Sequence, residues 1–245
     1  MFLYGEEKSR PPEEWRPEVH DSDGLLISSS NGEWIWRPLG NPEKLRISYF
    51  ELDNPRGFGV LQRDRKFSSY EDLETYHELR PNAWITPIGH WGKGGVKLVE
   101  IPSQKESNDN IVAYWVPKTS TPGGQPFETA YRISFQNEDP HERVSARTTA
   151  TRIGNGDKED RKRIVVDFEG ARIKSLPANA PVKAMIGVGP DGQPIEHQVI
   201  KNSVTGGWRL SFQVKPPKGK ALELRAYLRN DEDILTETWS YQLES

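Results

Sequence analysis

Alternation of apolar and polar residues is the feature that most constrains the fold of this chain. Between Gly207 and Val214 every second side chain is apolar and the intervening ones are polar, a period of two that places the apolar groups on one face of an extended strand. The segment 221–228 repeats the pattern. Similar short segments recur about every ten residues in the second half, as in small antiparallel sandwiches; they are 131–135, 163–168, 182–188, 196–200 and 238–243.

The first half is also predicted to be mostly strands. The candidate strands are 44–52, 57–62, 83–87, 95–101 and 110–116. One short helix is predicted over 69–76, with Ser69 as its N-cap and Asp72 as the reciprocal capping acid. Two connections are also predicted, a hairpin turn at Pro190-Asp191-Gly192 and a mobile loop over 153–162.

A segment rich in Pro, Gly, Thr and Ser separates the two halves. It runs from Val116 to Pro126 and is unsuited to a strand or helix. We therefore predict an all-β chain with three parts. Residues 1–117 form part of a larger β-sandwich, 118–127 form a linker, and 128–245 form an immunoglobulin-like β-sandwich.

Composition excludes several classes of function. The 33 basic and 36 acidic residues are well mixed and give a formal charge of -3, whereas nucleic-acid and anionic-membrane binding need a basic surplus. No apolar run approaches the ~20 residues of a membrane-spanning helix, and residues 1–8 lack the apolar core of a signal peptide. The absence of cysteine excludes thiolate metal sites. No cofactor or metal is expected.

Two aspartates lie in polar segments that precede or join predicted strands. Asp109 directly precedes the apolar, aromatic segment 110–116, and Asp21 lies in the polar segment 20–24. Hydrolysis of a glycosidic bond generally takes two carboxyl groups, one donating and one accepting a proton. Ordinary turn or capping roles are the alternative, and residues 21–24 also resemble the start of a calcium loop, although the downstream Glu of an EF-hand is absent.

Tryptophans are concentrated in the first half, which contains six of the eight. Trp34 and Trp36 would share one side of an extended segment, with Arg37 on the other. Such indoles could stack on sugar rings, and packing in the core is the open alternative.

Many motifs in order resemble one known family. The motifs are Arg16 to Leu25, Asn31 to Leu39, Asn54 to Arg63, Leu79 to Pro81, Trp91 to Gly94, Val99 to Pro102, Asn108 to Trp115 and Glu237 to Leu243. Together they resemble the periplasmic glucan biosynthesis proteins G and D, the OpgG/MdoG and OpgD family. The resemblance runs almost from end to end.

This resemblance implies a fold and an activity. It implies that residues 1–117 are the C-terminal portion of a large glucan-binding and catalytic β-sandwich, joined to an immunoglobulin-like domain. The implied chemistry is that of an inverting endo-β-1,2-glucanase, a glycoside hydrolase acting on the β-1,2-glucan backbone of osmoregulated periplasmic glucans. Asp109 matches the general acid, Asp21 the general base, which acts through a relay, and Tyr76 a tyrosine of the mobile active-site region. By position, residues expected to line the carbohydrate-binding cleft are Trp34, Trp36, Arg37, Trp84 and Trp91.

The resemblance also predicts what surrounds the chain. Family members carry a signal peptide and the first half of the large sandwich ahead of the point where this sequence starts, so we expect the 245-residue chain alone to have little activity and a poorly folded first domain. The expected partners are β-1,2-glucan and, as further candidates, the missing N-terminal half or the glucan synthase machinery, in the periplasm and without membrane insertion. The alternative function is a non-catalytic glucan-binding or scaffold protein.

Overall fold

The structure, a computed structural model, is built almost entirely from β-strands. It describes residues 1–5, 12–119, 123, 125–140, 145–190 and 192–244. The strands are β1 Leu3–Gly5, β2 Val19–His20, β3 Gly24–Ser28, β4 Trp34–Pro38, β5 Arg46–Asp53, β6 Gly57–Leu61, β7 Asn82–Ile88, β8 Lys93–Glu100, β9 Ile111–Pro117, β10 Ala130–Gln136, β11 Arg147–Asn155, β12 Lys162–Glu169, β13 Val182–Val188, β14 Ile195–Lys201, β15 Trp208–Val214, β16 Leu222–Asn230, β17 Asp233–Ile234 and β18 Thr238–Leu243. Two four-residue helices, α1 Phe67–Tyr70 and α2 Ala171–Lys174, and one 3₁₀ helix, His77–Leu79, complete the elements. The predicted all-β sandwich class is confirmed.

The chain forms two compact units. The first contains residues 1–34 and 38–139, and the second contains residues 35–37 and 140–245. The predicted linker, 118–127, is described in part and falls within the first unit. Strand β10, which the sequence assigns to the second domain, pairs along its whole length with β7 of the first unit.

In the first unit, β10, β7, β6 and β3 form one antiparallel sheet, and β5, β8 and β9 form another. Strand β3 is buried along its whole length, whereas β5 alternates buried and exposed residues. A small sheet of β1 and β2 joins Leu3 to His20 and Gly5 to Val19. The β1–β2 pair therefore places the first residues of the chain beside the segment that contains Asp21.

The second unit is a sandwich of two sheets. Strands β11, β12, β15 and β14 form one sheet, and β13, β16 and β18 form the other, with β17 on β16. The inward face of β15 is buried at every second residue from Trp208, as its alternation predicts. The ring of Phe212 on β15 meets the ring of Trp239 on β18 edge to face at 6.2 Å, which joins the two layers.

The structure corrects two local predictions. The helix predicted over 69–76 is wrong: α1 spans Phe67–Tyr70 and ends because Glu71 adopts φ 55. The Asp72 carboxylate instead accepts hydrogen bonds from the amides of Glu74 and Thr75, which forms a turn rather than a capping box. The loop predicted over 153–162 is shorter, because β11 extends to Asn155 and β12 begins at Lys162. In the predicted hairpin turn, Asp191 lies outside the described residues.

Substitution of Gly59 tests the close approach of β6 to β7. A β-carbon at this position would lie 2.1 Å from the Ala83 carbonyl oxygen and 2.9 Å from the Trp84 α-carbon. Because backbone cannot rotate away as a side chain can, we expect Gly59→Ala to lower the free energy of unfolding by about 2 kcal/mol. Urea denaturation measures this change.

Gly154→Ala is the matched control, since Gly154 is also a strand glycine but has nothing within 4 Å of the added carbon. It should leave stability unchanged or raise it by about 0.5 kcal/mol. Equal effects of the two substitutions would contradict the packing argument.

Candidate functional site

The first three residues are fixed to the segment before β9 by Asn110. The buried Asn110 side chain accepts a hydrogen bond from the Leu3 amide at 2.8 Å and donates to the carbonyl oxygens of Leu3 at 2.9 Å and Ile101 at 3.0 Å. The backbone amides of Asn110 and Ile111 both donate to the Met1 carbonyl oxygen. Asp109, directly before Asn110, is thereby held close to Met1.

Asp21 and Asp109 contact consecutive residues of this segment. Asp21 Oδ1 accepts a hydrogen bond from the Phe2 amide at 3.0 Å, and Asp109 Oδ1 lies 3.2 Å from the Met1 nitrogen. Consecutive backbone nitrogens are less than about 4 Å apart, so these two carboxyl oxygens are separated by at most about 10 Å. The structure thus brings together the two aspartates that the sequence singles out.

Tyr76 lies in the same neighbourhood. Its side chain is nearly half exposed, and its backbone is in the left-handed region at φ 49, directly before the 3₁₀ helix. The next residue, His77, is buried, and its ring meets the Phe2 ring edge to face at 5.6 Å. Phe2 therefore contacts Asp21 through its amide and the neighbour of Tyr76 through its ring.

The residue before Asp21, His20, belongs to a buried polar network that the sequence did not reveal. Gln62 Nε2 donates to the Tyr70 hydroxyl, which donates to the Asp64 carbonyl oxygen. Gln62 Oε1 lies 3.1 Å from His20 Nδ1, and Nε2 of that ring lies 2.9 Å from Glu18. Burial lowers the pKa of His77 and raises that of Tyr70 above its usual range, so both side chains are neutral near pH 7. The one feature of the sequence that pointed to this network was the position of His20 next to Asp21.

Asp23 is a buried carboxyl group within this region. Its Oδ2 accepts the amides of Arg63 at 2.8 Å and Asp64 at 2.7 Å, while its Oδ1 has no hydrogen-bond partner among the described residues. Burial raises the pKa of Asp23, a change that His20 opposes. The protonated acid is therefore favoured more strongly in the folded protein than in the unfolded chain.

The aromatic residues expected at the cleft fall into separate groups. Trp34 and Trp84 stack at 6.0 Å, and Trp91 contacts Trp115 at 5.7 Å and Tyr131 at 6.2 Å. Only 8% of the Trp84 surface is exposed, so core packing accounts for this ring and little of its face is left for a sugar. Trp91 is more accessible, and its indole nitrogen donates to the Ala130 carbonyl oxygen.

Trp36 and Arg37 belong to the second unit, whereas the two aspartates and Tyr76 belong to the first. Trp36 is 4% exposed, and it is the register partner of Trp239 in β18. The buried Arg37 guanidinium forms an ion pair with Glu223 at 2.6 Å. Through these contacts, Trp36 and Arg37 both have structural roles within the second unit.

Comparison with protein families agrees with the motifs. A family model described as "Periplasmic glucan biosynthesis protein, MdoG" matches residues 1–243. The chain belongs to the MdoG family. The resemblance identified from the sequence is thereby confirmed, and membership places this MdoG-family protein in periplasmic glucan biosynthesis. Within the described part of the chain, no helix has the length and apolar character to cross a membrane.

Asn110→Ala tests the constraint on the N-terminal segment of this MdoG-family protein. The substitution leaves the Leu3 amide and two carbonyl oxygens without their buried partner, so we expect the free energy of unfolding to fall by about 2–4 kcal/mol in urea denaturation. Asn108→Ala is the control, because Asn108 is exposed and its amide makes a single 3.4 Å contact to Ser103. Equal stability of the two variants would contradict a structural role for Asn110.

Asp23→Asn tests the raised pKa. Because the folded-state pKa lies above the unfolded value, the native protein binds the proton more tightly, and the contribution of Asp23 to stability falls as pH rises above about 4. The stability of Asp23→Asn relative to the wild type should therefore increase between about pH 4 and pH 8 in urea denaturation. A stability difference that stays constant between about pH 4 and pH 8 would refute the assignment.

Proposed function

We propose that this MdoG-family protein has inverting endo-β-1,2-glucanase activity on the backbone of periplasmic glucans, with Asp109 as the general acid and Asp21 as the general base. The observation that carries the proposal is the convergence of both carboxylates on Met1 and Phe2. Inverting glycoside hydrolases hold their two carboxyl groups about 6.5–9.5 Å apart. The limit of about 10 Å set by the backbone of Met1 is compatible with that range.

In the proposed reaction, Asp109 donates its proton to the glycosidic oxygen as the bond from that oxygen to the anomeric carbon breaks. Water attacks the anomeric carbon from the opposite face, and its proton passes to Asp21, through a relay as the family resemblance implies. One carboxyl group therefore begins protonated and the other ionised, and the products are two shorter glucans. A β-linkage yields the α-anomer at the new reducing end because the configuration inverts.

The surroundings of the two aspartates support different tasks. Asp109 has 80% of its side chain exposed, so a glucan can reach it from solvent. Asp21 is less exposed, and its Oδ1 accepts hydrogen bonds from the Phe2 amide and the Ser22 hydroxyl. These two hydrogen bonds fix the orientation of the Asp21 carboxylate.

The same exposure favours a second candidate, a non-catalytic glucan-binding or scaffold protein. A general acid usually works where water is restricted and hydrogen bonds fix its position. Asp109 projects largely into solvent, an arrangement that a glucan-binding surface tolerates better than a catalytic site does. Glucan binding without cleavage would identify this second function.

Asp109→Asn separates the two candidates. In the full-length protein we expect the substitution to reduce cleavage of linear β-1,2-glucan by at least about 100-fold, because the amide has nearly the same shape but donates no proton to the leaving oxygen. Glucan binding, measured by calorimetry, should change little. The rate of cleavage is measured from the appearance of new reducing ends, and NMR of the first product identifies its anomer.

The exposed Asp53→Asn is the matched control and should retain wild-type activity. Asp21→Asn should also abolish cleavage. Full activity in Asp109→Asn, or a first product with the β-configuration, would eliminate the proposed mechanism.

A further inference from the structure

One guanidinium lies between the loop that contains Asp109 and the turn that precedes Tyr76. Arg16 binds both carboxylate oxygens of Glu14, at 2.7 and 2.8 Å, binds Asp72 Oδ2 at 2.9 Å through Nη1, and contacts Glu106 through Nη2. Its side chain is only 12% exposed. Three carboxylates from three separate segments therefore meet at this group.

The Asp72 contact connects Arg16 to Tyr76. Besides the Arg16 hydrogen bond, the Asp72 carboxylate accepts the amides of Glu74 and Thr75 and the Thr75 hydroxyl at 2.6 Å. Burial by itself would raise the pKa of Asp72, but the hydrogen bonds from Thr75 and Arg16 hold it below its usual range. The carboxylate that fixes the turn before Tyr76 is thus also a partner of Arg16.

The Glu106 contact connects Arg16 to Asp109. Glu106 lies three residues before Asp109, in the connection between β8 and β9. The far end of this connection is fixed by Asn110, whose amide side chain bonds Leu3 and Ile101. Glu106 is 42% exposed, so solvent screens this arm more than the Asp72 arm. Its role is accordingly to limit where the loop lies rather than to stabilise the whole domain.

We propose that Arg16 is a positioning residue that couples the Asp109 loop to the Tyr76 turn. The inference rests on the proposed function for its catalytic consequence, but the coupling of the two segments stands on the contacts alone. The planar guanidinium presents donors in several fixed directions, and a lysine ammonium is a point charge without that geometry. Arg16 does not contact the reacting atoms in this arrangement; it acts through Asp72 and Glu106.

Glu106→Gln is the sharpest test, because it weakens one arm at a half-exposed position and leaves the Glu14 and Asp72 contacts in place. In the full-length protein we expect kcat on linear β-1,2-glucan to fall by about tenfold, with KM within about threefold of the wild type, since a misplaced acid slows chemistry more than binding. Hydrogen exchange should become faster in residues 102–110 and remain unchanged in residues 72–79. The melting temperature should stay at the wild-type value.

Arg16→Lys should accelerate exchange in both segments and lower kcat more than Glu106→Gln does. The control is Arg56→Lys, an exposed arginine of the same unit whose Nη2 donates to the Ser30 carbonyl oxygen at 3.1 Å; it should change neither measurement. Unchanged exchange in 102–110 in Glu106→Gln would overturn the coupling, even if Arg16→Lys fails to fold. Faster exchange together with full activity in Asp109→Asn would instead retain the coupling and reject the proposed hydrolase mechanism.

Discussion

The arrangement of the candidate site depends on one buried amide side chain. Asn110 bonds the Leu3 backbone in both directions and also binds the Ile101 carbonyl oxygen, so it joins β1 to the ends of β8 and β9. The backbone amides of Asn110 and Ile111 also donate to the Met1 carbonyl oxygen, and together these contacts hold Met1 beside Asp109. The β1–β2 pair supplies the other half of the constraint by placing Phe2 beside Asp21. Two carboxylates 88 positions apart in sequence are neighbours for that reason.

A second layer of polar contacts fixes the groups that flank the aspartates. His20, Gln62 and Tyr70 form a buried network behind Asp21, and Arg16 with Asp72 forms a partly buried ionic cluster beside Tyr76. Buried polar groups of this kind are sensitive to small displacements, since each lost partner leaves an unsatisfied group in a medium of low dielectric constant. The geometry of the site is therefore specified by hydrogen bonds more than by apolar packing.

Sequence patterns predicted many of the strands, because alternation depends on a local period. The alternation in segments such as 208–214 and 222–228 indicates one buried face, and in the structure these segments lie in β15 and β16. The roles of Asn110 and Arg16 could not be predicted in this way, since each acts on residues tens of positions distant and leaves no periodic trace. The helix prediction over 69–76 failed for a related reason: Asp72 serves the following turn instead of capping a helix. The two aspartates were singled out by their polar segments next to predicted strands, but their roles as general acid and general base came only from resemblance to a family.

The backbone of Tyr76 has a consequence for motion. A bulky residue in the left-handed region is about 1–2 kcal/mol less stable than in the right-handed one, and here that strain is retained by the Asp72 turn on one side and the buried His77 on the other. Any rearrangement that lets Tyr76 return to a right-handed conformation releases this energy. The released strain offsets part of the cost of breaking the hydrogen bonds of the turn. Opening of the turn therefore requires less work than its number of hydrogen bonds suggests.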